Sequence, residues 1–157
     1  MPGARALVVG AGGVGSANAA SLAAAGVGGI ALFDAHDESA IALQGRLKAH
    51  YPALDLSTGS NDPSGVEVVV KATPMGMNEG DALPMDVSRI APSAFVGEGV
   101  MTRKMTAFLC AVQPRGCRFQ VGSDKTFEKI PAYLAFFGLP STSPEVLRSV
   151  AQAERLN

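Results

Sequence analysis

The chain has 157 residues, a formal net charge of -1, 47% hydrophobic residues, two cysteines and two histidines. That length suits one domain with a sizeable core. The near-neutral balance gives no global field toward nucleic acid or an anionic membrane, and no apolar run approaches a membrane span. Cys110 and Cys117 form no C-x-x-C pair, and His36 and His50 stand in polar stretches without further ligands, so no metal is expected. Residues 1–5 lead directly into a first strand with no room for a signal peptide, and two reduced thiols fit a cytoplasmic protein. Cys110 reads as helix packing and Cys117 as the start of a strand.

The first predicted strand covers residues 4–9, a short β-branched run suited to burial on both faces. Gly10-Ala11-Gly12-Gly13-Val14-Gly15 follows at once, and an alanine-rich helix over 13–25 follows that. Strand, glycine turn and helix form the phosphate-cradling unit of dinucleotide-binding folds. Gly10 permits the turn, Gly12 lets a pyrophosphate approach the backbone, and Gly15 lets the helix lie close on the strand. The helix start offers unpaired N–H groups and partial positive charge to phosphates. A second strand over 29–34 ends in Asp34, about 20 residues past the glycines, where a carboxylate accepts from an adenosine ribose.

Asp37, Glu38 and Ser39 charge and cap a helix carrying Ala40, Ile41, Leu43 and Leu47, which Tyr51-Pro52 ends. A short third strand is expected over 53–56, a loop over 57–65, and a buried parallel strand over 66–70. Asp86 caps a short helix over 86–90, a fifth strand falls near 94–100, and a helix covers 105–112. A sixth strand spans 118–122. A helix over 124–137 carries Phe127, Ile130, Leu134 and Phe137, with Pro131 kinking it or starting its second part. Ser143-Pro144-Glu145 starts a last helix whose apolar side is Val146, Leu147, Val150 and Leu156. Alternating strands and helices imply a parallel sheet with right-handed crossovers. The expected fold is α/β: a three-layer, doubly wound Rossmann-type domain with a mainly parallel six-stranded sheet over residues 1–138, then a helical extension over 139–157.

Beyond the glycine fingerprint, Ala72-Thr73-Pro74-Met75-Gly76-Met77, Met105-Thr106-Ala107-Phe108-Leu109 and Arg115-Gly116-Cys117-Arg118 leading to Val121-Gly122 appear in order. With these motifs the chain resembles the shikimate/quinate dehydrogenase family, over the nucleotide-binding half from about Ala4 to Gly138. The resemblance implies that Gly10, Gly12, Gly13, Val14 and Gly15 surround the pyrophosphate of a nicotinamide dinucleotide. It places Thr73, Met75 and Met77 on the nicotinamide side with Gly122 beside it. It further implies an oxidoreductase relationship, with the catalytic Lys and Asp in an N-terminal substrate domain absent from this sequence. Cofactor binding without appreciable catalysis is the expectation. NAD is expected to be preferred over NADP, because a 2′-phosphate there would meet the three carboxylates of Asp34, Asp37 and Glu38 and no Arg.

The chain departs from the family's pattern at Lys71, where Asn is usual, at Gly99, and at Lys125, Thr126 and Lys129, where Met, Leu and Gln are usual. Lys71 follows Val68-Val69-Val70 directly, so it either snorkels, pairs with Glu98 of the neighbouring strand, or serves as a reactive amine of lowered pKa. The last option makes Lys71 the candidate catalytic residue of a repurposed or engineered scaffold. Lys125 and Lys129 stand four apart on one side of their helix, away from Phe127, and read as solvent-exposed. The two C-terminal helices carry more apolar surface than one sheet face can cover, which predicts a homodimer.

Overall fold

The computed structural model describes residues 2–78, 80–101 and 104–153. β1 (Arg5–Val9), α1 (Gly13–Ala24), β2 (Gly29–Phe33) and α2 (Asp37–His50) open the chain. β3 (Asp55–Thr58) and β4 (Val68–Lys71) follow, then a 3₁₀ turn at Val87–Arg89 and β5 (Phe95–Glu98). α3 (Ala107–Val112) runs into a second 3₁₀ turn at Gln113–Arg115. β6 (Arg118–Gln120), α4 (Gly122–Phe136) and α5 (Pro144–Ala153) complete it. Leu156 lies outside the described residues.

The sheet order is β3-β2-β1-β4-β5-β6, and all five neighbouring pairs are parallel. The order reverses between β1 and β4, so the crossovers leave in opposite directions and open a crevice at the carboxyl ends of those strands. Helices cover both faces, which is why β1 and β4 are continuous apolar runs. Ala6, Val8, Val68 and Val70 face α1 and α2, where Leu22, Leu43 and Leu47 pack on them. Leu7, Val9, Val69 and Val96 face the opposite layer, built on Ile90, Phe108, Leu109 and Val112.

Several boundaries shift from expectation. β3 begins two residues late, because Leu54 turns inward as core before the pairing with β2 starts at Asp55. The predicted helix over 86–90 is a single 3₁₀ turn, capped as expected by Asp86, whose side chain accepts from the Ser88 N–H. Ile41 and Cys110 are exposed rather than packed, since both project from the outer sides of their helices.

α4 and α5 differ most from the expected layering. Of the α4 residues only Gly122 is buried, and Phe127, Ile130 and Leu134 are half-buried. α4 packs on α5, held by an Arg148–Glu128 ion pair and by the Arg148 guanidinium over the Phe127 ring. Phe136 and Phe137 stay 83% and 71% exposed. Pro131 sits within α4, which continues through it as one helix.

Candidate functional site

The glycine turn between β1 and α1 stands at the crevice. Gly10 has φ +107°, and a Cβ there would meet the Ala72 carbonyl oxygen at 2.6 Å. A Cβ on Gly15 would lie 1.7 Å from the Gly10 carbonyl oxygen, so only glycine lets α1 rest on the turn. By contrast, Cβ atoms on Gly12 and Gly13 would meet nothing within 4 Å. The backbone there is open, at the head of a twelve-residue helix with no side-chain cap and no acid in its first turn. Unpaired N–H groups at such a helix start suit a phosphate.

Asp34 sits one residue past β2 and reaches back to the glycine turn. Its Oδ2 accepts from the Ala11 N–H at 2.7 Å, and its Oδ1 accepts from the His36 N–H at 2.9 Å. The Ala11 N–H holds the carboxyl below the usual aspartate range; partial burial opposes this, and the His36 N–H reinforces it. Each oxygen keeps a further lone pair for a hydroxyl donor. The helical turns of α2 also bring Arg46 to the Ser16 hydroxyl at 3.4 Å. Twelve residues separate Arg46 from Asp34, so a search for an Arg next to Asp34 misses it.

The far side of the crevice holds two cavities. One, of about 230 Å3, is lined by Thr73, Met77, Val100 and Met101. Thr73 Oγ1 is buried there without a hydrogen-bond partner among the described residues. The other, of about 280 Å3, is lined by Gly122, Lys125, Lys129 and Tyr133 of α4. Val14, Gly99 and Met101 border both, so the two are neighbours. Met75 lines neither of them and borders a surface cleft with Asn78 and Asp81. Asp81 braces this loop, its Oδ2 accepting from the Gly76 and Asn78 N–H groups at 3.0 Å each. A larger groove of about 530 Å3 runs between α1 and α2, but no orphaned buried polar atom borders it among the described residues.

Lys71 and Glu98 are both 0% exposed and form an ion pair at 3.0 Å. Lys71 also donates to the Thr73 carbonyl at 3.2 Å. Glu98 Oε1 accepts from the Gly99 and Val100 N–H groups, and Oε2 accepts from the Thr106 hydroxyl at 2.7 Å. Thr106 in turn caps α3 through the Leu109 N–H. The pairing reading of Lys71 therefore has its geometry. The reactive-amine reading does not, because a sealed, paired ammonium meets no substrate carbonyl. Gly99 is explained by the same packing: a Cβ there would lie 2.8 Å from the Lys71 carbonyl oxygen.

The exposed reading of Lys125 is overturned. Its Nζ lies buried against β5 with no hydrogen-bond partner among the described residues, while Lys129 remains exposed. A Cβ on Gly97 would sit 3.0 Å from that Nζ, so the bare backbone of Gly97 makes room for the amine. Burial pushes the Lys125 pKa down; Glu98 opposes this and Lys129 adds to it. Helical periodicity gave no sign of this, because it sorts side chains by the face of their own helix and not by what that face meets.

A parallel sheet reversing at β1/β4, with a bare glycine turn over its crevice and a carboxylate at the end of β2, defines a Rossmann-like α/β fold. No family model matches the chain. It is similar to the shikimate dehydrogenase (NADP(+)) of Paracoccus denitrificans (strain Pd 1222), 31% identical over 147 residues, covering 92% of this chain and 52% of that protein. The shikimate dehydrogenase (NADP(+)) of Streptomyces avermitilis is 29% identical over 154 residues, covering 94% of this chain and 53% of the relative. Among solved structures, quinate dehydrogenase from Corynebacterium glutamicum in complex with NAD superposes with a TM-score of 0.82 at 26% identity, covering 98% of this chain and 56% of that one. Homologues of the chain are thus shikimate dehydrogenases, and the resemblance read from the glycine turn and the residues 72–77 loop holds. The chain spans about half the length of the curated relatives it matches.

Proposed function

We propose that the chain is a nicotinamide-dinucleotide-binding domain of shikimate/quinate dehydrogenase type, with NAD preferred over NADP. The observation that carries this is the open backbone at Gly12 and Gly13, set at the uncapped head of α1 above the β1/β4 crevice. The residues present fit such a cofactor. Gly10, Gly12, Gly13, Val14 and Gly15 surround the pyrophosphate position, Asp34 takes the adenosine ribose, and the orphaned Thr73 hydroxyl waits on the nicotinamide side with Met77 and Gly122 near it. Met75 contributes as part of the loop that Asp81 braces. When bound, a nicotinamide dinucleotide supplies hydride donation or acceptance. The chain's own residues bind and orient it; the buried Lys71–Glu98 pair holds the wall that carries Thr73 and Val100.

The preference for NAD rests on charge. A 2′-phosphate beside Asp34, with Asp37 and Glu38 at the start of α2, meets like charge. The relatives named for NADP(+) favour the other reading, and Arg46 at the Ser16 hydroxyl is the residue here that would serve it. Isothermal titration with both dinucleotides decides. NADP should bind more weakly, and Asp34→Ala should narrow the gap. Tighter NADP binding that is lost in Arg46→Ala would refute the preference, and no binding of either would refute the function.

A further inference from the structure

The head of α2 carries a side chain that its helix does not need. Helix caps favour Ser, Thr, Asp or Asn, whose side-chain oxygen takes a first-turn N–H. Here the capping position is His36, and its side chain makes no capping bond. Nor does the imidazole pack, being 87% exposed. A cation at a helix start also opposes the helix dipole. What the ring does have is an acidic neighbour. Its Nδ1 lies 3.6 Å from Asp34 Oδ1, the oxygen that accepts from the His36 N–H. That backbone bond fixes the residue beside Asp34 whatever the charge on the ring.

The charge around the imidazole is one-sided. Asp34 faces it from the end of β2, and Asp37 and Glu38 follow it in the first turn of α2. Among the described residues, Asp34 is the carboxylate within 4 Å of the ring. α1 brings no acid in its first turn, and Arg46 of α2 is engaged with the Ser16 hydroxyl. Histidine is the side chain that ordinarily changes charge between about pH 5 and 8. With the ring neutral, the three carboxylates stand without a counter-ion from this loop; with it protonated, Asp34 gains one.

We propose that His36 sets how strongly the site rejects a 2′-phosphorylated dinucleotide. Neutral, it leaves Asp34, Asp37 and Glu38 to repel the phosphate. Protonated, it offsets Asp34 and pairs with the phosphate, so the discrimination between NAD and NADP narrows as pH falls. This rests on the dinucleotide reading, in which Asp34 takes the adenosine ribose.

The test is isothermal titration of the 157-residue chain with NAD and with NADP, at about pH 5.5 and about pH 8. The 2′-phosphate itself gains a proton near about pH 6, so part of any pH dependence belongs to the ligand. His36→Gln isolates that part, because it keeps the backbone bond to Asp34 and loses the titrating ring. On acidification, NADP affinity relative to NAD should rise in the parent by about fivefold more than in His36→Gln. His50→Gln, at the far end of α2, should follow the parent. Proton NMR of the two imidazoles gives a second readout on the unaltered chain. NADP should raise the His36 midpoint more than NAD does, and the signal missing in His36→Gln assigns it. An equal change of the affinity ratio in parent and His36→Gln, or equal midpoints with the two dinucleotides, overturns the proposal and leaves the dinucleotide reading standing. Binding of neither dinucleotide at either pH refutes that reading and the proposal with it.

Discussion

Removing one member of the Lys71–Glu98 pair should cost far more than removing both. Losing one partner of a buried ion pair typically costs about 3–5 kcal/mol, because the other charge stays behind in low dielectric. The two directions are unequal here. Lys71→Met leaves a carboxylate that still accepts from the Gly99 and Val100 N–H groups and the Thr106 hydroxyl, so its cost belongs near the lower bound. Glu98→Gln leaves the Lys71 amine an amide oxygen and the Thr73 carbonyl but no opposite charge, which places it near the upper bound. In a domain of this size each kcal/mol moves Tm by about 2–4 °C, giving losses of about 6–12 °C and about 10–20 °C. Lys71→Met/Glu98→Gln removes both charges while the amide oxygen keeps the backbone bonds, so it should be more stable than Glu98→Gln alone. The chain has no Trp, so urea and thermal unfolding are best followed by far-ultraviolet circular dichroism. Single variants within about 1 kcal/mol of the parent, or a double variant equal to the sum of the singles, would refute the reasoning.

The glycine turn separates packing from binding: Gly15→Ala, with its Cβ against the Gly10 carbonyl, should lose about 3 kcal/mol or more in urea unfolding, whereas Gly12→Ala should unfold like the parent yet bind NAD more weakly by calorimetry. Asp34 has its pKa lowered in the folded state, so its contribution is complete above the ordinary aspartate range and is lost as pH falls through the lowered value. Asp34→Asn should therefore flatten the acid limb of a stability-against-pH curve, and an unchanged limb would show that the Ala11 bond contributes nothing. The exposed Phe136, Phe137, Val146 and Val150 should bring two copies together, visible as a mass that rises with concentration in light scattering and falls back in Phe137→Glu. A monomer mass throughout the range counts against the C-terminal dimer.

The layers and the parallel sheet were legible because β1, β2 and β4 are largely buried on both faces, and such strands announce themselves as apolar runs. Asp34 was legible for a related reason: the strand that carries it ends where the apolar run ends. The Lys71–Glu98 pair could be suspected from register, since the two positions are partners at the ends of β4 and β5. Its closure was not legible, because it depends on Thr106 arriving from a loop eight residues on. Lys125 misled for the converse reason. Periodicity places a side chain on a face of its own helix, and whether that face meets solvent or Gly97 depends on how α4 crosses the sheet. Arg46 depends likewise on how α1 and α2 lie together.

The four acceptor contacts of Glu98 have a dynamic consequence. The Gly99 and Val100 N–H groups belong to a loop, where amides ordinarily exchange with solvent through small local openings. Here they are bonded to a carboxylate that is fully buried and tied to β4 and α3. Releasing either amide means parting β4, β5 and α3 together, so their deuterium uptake should be as slow as that of the central strands. The amides of α5, which packs chiefly on α4, should be replaced long before. On that clock the wall of the crevice belongs to the core, and the C-terminal helices do not.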